Sequence, residues 1–150
     1  MEPRGPDVDV GYDGPDDKGW HAVHHAATLA RPDLVQRLID RKADLHATTH
    51  HNSTALHVLA CVGPQKHTFD AVEAVAELLI GANAPLDARD NRGNTALLRA
   101  AQHGTLGVVL PLLRSGEASG GALRVALNDD GQSALDRALA GGHTEVVDAI

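Results

Sequence analysis

The sequence predicts an all-α fold: a solenoid of stacked helix-turn-helix units with finger loops. One ten-residue phrase occurs four times in similar form, as "KGWHAVHHAA" (18–27), "HNSTALHVLA" (51–60), "RGNTALLRAA" (92–101) and "DGQSALDRAL" (130–139). The intervals between the copies are 33, 41 and 38 residues, counted between the central apolar residues Val23, Leu56, Leu97 and Leu135. Self-similarity at intervals of about 20 to 50 residues is the sequence signature of stacked repeats.

The composition favours thin, closely packed layers. Hydrophobic residues make up 43% of the 150 residues and aromatic residues only 2%, so the core must be built from Leu, Ala and Val. Small residues such as Ala26, Ala27 and Ala100 allow helices of neighbouring layers to approach closely. Because no single repeat carries enough apolar surface to fold alone, each repeat must stack on its neighbours.

Each copy of the phrase predicts the same order of elements: a turn, a short helix, a Gly or Pro break and a second, amphipathic helix. In the second helix of repeat two, apolar residues recur at steps of three and four, which places them on one helical face. They are Phe69, Val72, Ala76 and Leu79. The turn residues are Gly19, Asn52, Gly93 and Gly131, and the break residues are Pro32, Gly63, Gly104 and Gly142.

Two regions are predicted along the chain. Residues 1–15 are acidic and interrupted by three prolines, which predicts a flexible acidic tail. Residues 16–150 form the repeat domain. Its repeats are expected at about 16–48, 49–89, 90–127 and 128–150, the last of them incomplete.

The interval of 41 residues exceeds the shortest interval by eight, and the extra residues fall within "VGPQKHTFDAV". Thr68 is a suitable N-cap, and Asp70 and Glu73 suit the positive end of a helix. We therefore expect the second helix of repeat two to start early and to be about a turn longer, after a loop at residues 63–67.

Two further departures concern repeats three and four. Leu123, Val125 and Leu127 alternate with other residues, which indicates extended chain in a long finger loop. Pro111 lies inside "GVVLPLL", and a proline within a helix costs about 3 kcal/mol because it removes a hydrogen bond. The proline predicts a kink or a late helix start.

Charge and cysteine content exclude several classes of protein. A formal charge of −7 and a pI near 5.7 argue against nucleic-acid binding, which normally needs a basic face. Cys61 is the only cysteine, so no intramolecular disulfide can form, and a reducing compartment, cytoplasm or nucleus, is expected. The N-terminus lacks the apolar segment of a secretory signal, and no stretch has the roughly 18 apolar residues of a membrane span.

The repeated segments resemble the ankyrin repeat, whose central pattern T-P-L-H is followed by G-H and a V-V pair. "TALH" (54–57), "GNTALLRAAQHGTLGVVLPLLRSG" (93–116) and "GGHTEVV" (141–147) carry the resemblance, which covers residues 16–150. It implies a protein-binding module without catalytic activity or cofactor. It also implies structural roles for His24 and His57, which would bond between loops, and for His143, which matches the G-H that opens the second helix.

The resemblance further implies that finger loops and first helices form a concave binding surface for a protein partner, with the chain as a monomer. The middle repeat brings three arginines to this surface and the last repeat two aspartates, so we hypothesise that the arginines bind an acidic segment of the partner. Trp20 is expected to be an anchor of the interface. The predicted surface comprises Asp17, Lys18, Trp20, His25, Thr28, Thr49, His50, His51, Ser53, Cys61, Arg89, Asn91, Arg92, Asn94, Arg99, Gln102, His103, Asp129, Asp130, Gln132 and Arg137.

Three alternatives stay open. The chain could be a regulatory or targeting segment of a larger enzyme, although it carries no G-x-S-x-G, P-loop or H-E-x-x-H motif. His21 and His25, four residues apart, could bind a metal or small ligand on one helical face. His46, His50 and His51 could make partner binding depend on pH, since histidine titrates near pH ~6.5.

Overall fold

Nine helices form the part of the chain that a computed structural model describes, residues 19–116 and 122–150. The described residues contain no β-strand, and the predicted all-α solenoid is confirmed. The acidic tail predicted for residues 1–15 lies outside the described residues. The helices are α1 (Ala22–Thr28), α2 (Pro32–Asp40), α3 (Ala55–Ala60), α4 (Phe69–Gly81), α5 (Ala96–His103), α6 (Leu106–Gly116), α7 (Ala122–Val125), α8 (Ala134–Gly141) and α9 (Thr144–Ala149).

The helices form two rows. The inner helices α1, α3, α5 and α8 stack on one another in chain order, and the outer helices α2, α4, α6 and α9 do the same beside them. Alanines at the same place in successive inner helices, Ala27, Ala60 and Ala101, are fully buried and keep the layers close. The leucines that fill the space between the rows include Leu56, Leu79 and Leu97, and all three are 0% exposed.

The repeated phrase corresponds to the start of each inner helix. The Thr54 hydroxyl accepts from the His57 amide, Thr95 accepts from the Leu98 amide, and Ser133 accepts from the Asp136 amide. A side-chain oxygen at this place satisfies an amide that the helix leaves without a partner. The Thr or Ser of the phrase therefore fixes where three of the inner helices begin.

Helix α4 confirms the prediction for repeat two. It has 13 residues against 9 in α2, and the Thr68 hydroxyl caps it by accepting from the Ala71 amide. The extra residues lengthen α4 and the connection between α3 and α4, which comprises residues 61–68. Elsewhere, the connection between α5 and α6 consists of Gly104 and Thr105 alone.

The alternation at residues 123–127 does not mark extended chain, and that prediction was wrong. Residues Ala122–Val125 form helix α7, which packs on α6. Leu123 is buried, whereas Val125 and Leu127 are 72% and 50% exposed, so only one of the three side chains contributes to the core. Without a neighbouring strand among the described residues, alternation alone cannot stabilise extended chain.

Two single residues, Pro111 and Cys61, have places that the structure defines. Helix α6 begins at Leu106 and includes Pro111, so the late start is not observed. Pro111 is buried, and the packing of its helix outweighs the cost of the missing hydrogen bond. Cys61 follows Ala60, the last residue of α3, as the exposed C-cap residue.

Candidate protein-binding site

Three finger loops share one local design. Residues 41–54, 82–95 and 126–133 are the first, second and third fingers, and each turn is closed by a backbone bond between residues four apart. At the start of each turn, a side-chain oxygen accepts hydrogen bonds from the backbone amides two and four residues later. These oxygens belong to Thr49 (His51 and Ser53 amides), Asp90 (Arg92 and Asn94 amides) and Asn128 (Asp130 and Gln132 amides).

The fingers are also joined to one another. The Asn91 amide donates to the His51 carbonyl at 3.1 Å, and the Asp129 amide donates to the Arg92 carbonyl at 3.1 Å. Gly93, with φ +75°, allows the second contact, because a Cβ there would lie 2.8 Å from the Asp129 nitrogen. Backbone bonds therefore hold the three fingertips in fixed relative positions.

Buried imidazoles attach the inner helices to the fingers. His24 Nδ1 accepts from the His21 amide at 2.9 Å, so Nε2 carries the proton and donates to the Ser53 carbonyl at 3.0 Å. His57 repeats the arrangement: Nδ1 accepts from Thr54 at 3.1 Å, and Nε2 donates to the Asn94 carbonyl at 2.8 Å. His143 Nε2 lies 2.9 Å from the Gln102 carbonyl. The structural roles expected for these three histidines are confirmed.

Burial keeps the imidazoles neutral. It lowers the pKa of His24 from 6.5 to about 4, against the opposing effect of the bond to the Ser53 carbonyl. It also lowers the pKa of His57. Both rings are at most 1% exposed, and a second proton at Nδ1 would face a backbone amide hydrogen. These histidines are therefore structural residues, with their ring nitrogens engaged within the fold.

Two of the three arginines predicted to bind a partner serve the fold. Arg99 Nε lies 2.6 Å from Oδ2 of Asp90, whose side chain is fully buried. Burial raises the pKa of Asp90, but the Asn94 and Arg92 amides and the Arg99 guanidinium outweigh it, and the net pKa is lowered. Arg89 donates to the carbonyls of Gly93 and Leu127. Arg92 is different: its side chain is exposed and bonds to none of the described residues.

A groove of about 300 Å³ opens between the first two repeats, and we call it the inner groove. Helices α1 and α3, the first finger and the 61–68 connection form its walls, and Arg99 of α5 closes one side. The residues that line it are Trp20, Thr28, Thr49, His51, Ser53, His57, Val58, Cys61, Val62, Lys66 and Arg99. Lys66, Arg99 and His51 make its polar part basic, and none of these lining residues is Asp or Glu.

The 61–68 connection is held in place at both ends. His67 Nε2 lies 2.8 Å from the Thr28 carbonyl, at the end of α1. The Gly63 amide donates to the Thr105 hydroxyl at 3.1 Å, and that hydroxyl donates to the Ala60 carbonyl. The extra residues of repeat two are therefore a fixed wall between repeats one and three.

The predicted surface residues fall into separate sets. Trp20, Thr28, His51, Ser53 and Arg99 line the inner groove, and the His25 ring lies beside Trp20 with centroids 5.2 Å apart. A second set consists of exposed residues at the fingertips. A third set consists of Arg89, which is exposed but donates to finger carbonyls, and of residues that are buried or partly buried against the fold. The second set is His50, Asn91, Arg92, Asp129 and Asp130, and the third is Arg89, Asn94, Gln102, His103 and Arg137.

Sequence reasoning missed three residues of the groove: Val58, Val62 and Lys66. The interval of 41 residues was the available signal, since extra residues between an inner and an outer helix must project beside the stack. Asp17 and Lys18 lie outside the described residues.

The described residues give no support to a metal site. No group of three His, Cys, Asp or Glu side chains among them lies close enough to hold an ion, and this includes the surroundings of His21 and His25. Within residues 19–116 and 122–150, no helix is long and apolar enough to cross a membrane.

Comparison with known proteins agrees with the architecture. A family model described as "Ankyrin repeats (3 copies)" matches residues 23–121 and 68–150. The chain belongs to the ankyrin-repeat family. Ankyrin repeats form protein–protein interaction modules, which makes this chain one of them.

Two relatives show how much longer such proteins can be. The "Probable 26S proteasome regulatory subunit p28" of Saccharomyces cerevisiae is 34% identical over 134 residues, which are 87% of this chain and 53% of the relative. "Neurogenic locus notch homolog protein 2" of Homo sapiens is 33% identical over 131 residues, or 87% of this chain and 5% of the relative. The chain thus spans about half of the yeast protein and a small part of the human one.

Proposed function

We propose that this ankyrin module is non-catalytic and binds a protein partner, as a scaffold, adaptor or inhibitor, on the concave face formed by fingers and inner helices. The observation that carries the proposal is the bonded row of fingertips. Backbone bonds from Asn91 to His51 and from Asp129 to Arg92 fix the row, so binding costs little conformational entropy. Side chains along it, including those of Arg92 and Asp130, are exposed.

An acidic segment of the partner remains the favoured ligand, with a revised set of basic residues. Because Arg89 and Arg99 are engaged within the fold, the basic residues proposed to bind it are Arg92 at the second fingertip and Lys66 at the inner groove. The protein would bind as a monomer in the cytoplasm or nucleus, where an exposed thiol such as Cys61 stays reduced.

Site-specific photo-crosslinking tests the proposal. A photoreactive residue at Arg92, on the concave side, is compared with one at Glu77, an exposed position on outer helix α4. In lysate, we expect the Arg92 position to capture a distinct protein and the Glu77 position not to capture it. Equal capture at both positions, capture at Glu77 alone, or no capture at either would contradict the proposal.

A regulatory segment of a larger assembly is the second candidate, favoured by the yeast relative's description as a regulatory subunit. In that case the protein captured at Arg92 should co-purify with a catalytic activity that this chain lacks. A captured protein without associated activity would leave only the general binding role.

A further inference from the structure

We propose that the inner groove binds an extended acidic segment of the partner, with one large apolar side chain inserted in the groove and a neighbouring carboxylate paired with Lys66. This inference rests on the proposed function and names the chemistry of the ligand. It depends on the 61–68 connection, which only repeat two has among the described residues.

The size and lining of the groove define the inserted group. About 300 Å³ is at the lower limit of small-molecule pockets, which measure roughly 300 to 1,000 Å³, so one large side chain suits it better than a cofactor. Trp20, Val58 and Val62 contribute apolar surface to its lining. Since binding energy concentrates in a few buried apolar or aromatic anchors, such a groove can determine affinity.

The charges define the group next to the anchor. The chain has a formal charge of −7, yet the groove is lined by Lys66, Arg99 and His51 and by no carboxylate residue. The Arg99 charge is balanced by Asp90, which leaves Lys66 as the exposed cation at the rim. An acidic residue beside the anchor would therefore be attracted, and a basic one repelled.

The 61–68 connection determines where Lys66 lies. The bond from His67 to the Thr28 carbonyl holds the residue after Lys66 against repeat one, and the Gly63 bond to Thr105 holds the start of the connection against repeat three. A connection as short as the one between α5 and α6 would not supply Lys66. The connection is thus the element of this chain that selects an anchored acidic segment.

Peptide selection on the whole chain tests the inference. Peptides selected from a random display library should carry a bulky apolar residue within a few positions of Asp or Glu. A synthetic peptide of that sequence should change the fluorescence of Trp20 and protect Cys61 from a thiol reagent, since both residues line the groove and each is the only one of its type.

Two charge-reversal variants form the matched comparison. Lys66→Glu should lower peptide affinity at least tenfold, and a peptide whose acidic residue is replaced by Lys should bind this variant better than wild type. Lys42→Glu makes the same charge change at an exposed position outside the groove and should stay within twofold of wild type. Circular dichroism and thermal unfolding establish that both variants are folded.

Different results would overturn the groove proposal and the general binding role. If selected peptides depend on Arg92 and leave Cys61 reactive, the groove proposal is overturned while the fingertips remain the binding surface. If no peptide binds the full chain but removal of residues 1–17 exposes Cys61, the occupant is the chain's own terminal segment, and a partner's segment is excluded. If no peptide is selected in either form, the groove proposal is overturned, and photo-crosslinking decides the binding role separately.

Discussion

Repeats one and two attach their inner helices to the fingers differently from repeats three and four. The third residue of the inner helix is His24 in repeat one and His57 in repeat two, and both are neutral buried rings that donate to finger carbonyls. The same position holds Leu98 and Asp136 in the later repeats, where arginines at the next position take over. The inner helices are thus attached to the fingers in two ways, by neutral imidazoles in repeats one and two and by guanidinium groups in repeats three and four.

The attachment in repeats three and four uses charged side chains near the surface. Arg99 pairs with Asp90, and Arg137 donates to Gln132, which in turn accepts from Asn128. The side-chain amide of Asn128 also donates to the side-chain oxygen of Asn94, so this network joins repeats three and four. The comparison indicates that an imidazole suits a dry interior, whereas a guanidinium suits a half-exposed edge where water screens its charge. The two halves should therefore respond differently to mutation and to pH.

The largest difference is expected at the start of the fingers. Asp90→Ala should lower the free energy of unfolding by about 3 to 5 kcal/mol, since it strands Arg99 and leaves two amides without an acceptor. Thr49→Ala, the matching change in the earlier repeats, also leaves two amides without an acceptor but strands no charge, and should cost about 1 to 2 kcal/mol. Urea unfolding of both variants measures the difference, and equal losses would break the comparison.

The pH dependence of the unfolding free energy should reflect the buried histidines of repeats one and two. His24 is neutral in the folded state down to about pH 4, whereas in the unfolded chain it binds a proton below pH 6.5. Its stabilising contribution is therefore complete above pH 6.5, falls as the pH falls, and is lost by pH 4, a change of about 3 kcal/mol. Unfolding free energies measured between pH 7 and 4 should show this decline, and His24→Gln should reduce it. A wild-type profile that is flat over this range would contradict the assignment.

Replacing a buried imidazole by the leucine of a later repeat should lower the free energy of unfolding by a smaller amount. His57→Leu gives repeat two the residue that repeat three has at this position. The change removes the donor to the Asn94 carbonyl and the acceptor for the Thr54 amide, so we expect a loss of about 2 kcal/mol. Thermal unfolding with Leu98→Met as the control measures it, because that exchange conserves volume and removes no polar contact. A His57→Leu variant as stable as wild type would show that the ring is replaceable.

The smallest effect separates two glycines with the same backbone conformation. Gly93 and Gly131 both have φ +75°, but only Gly93 lies against a neighbouring finger. Gly131→Ala should cost about 1 kcal/mol from backbone strain alone, and Gly93→Ala about 1 kcal/mol more, because its Cβ would push Asp129 away. Identical unfolding free energies would mean that the contact between the second and third fingers adds no stability.

The sequence was sufficient for the fold and for the longer α4, since a repeated N-cap phrase and Thr68 are local signals. It was insufficient wherever the outcome depended on distant contacts. Arg99 looked like a binding residue because its partner Asp90 belongs to the preceding finger. Leu123 looked extended because alternation over five residues also fits one turn of helix with one buried side chain. The position of Lys66 follows from the contact of His67 with Thr28, which no local pattern encodes.

The location of the 61–68 connection has an evolutionary consequence. It joins the two helices of a single repeat, so its length does not alter the spacing between layers. Under the groove proposal, insertions or deletions there change which ligand is recognised while the stacking leucines and alanines stay as they are. A duplicated gene could thus acquire a new partner by altering a few residues at one loop, with the scaffold's folding almost unaffected.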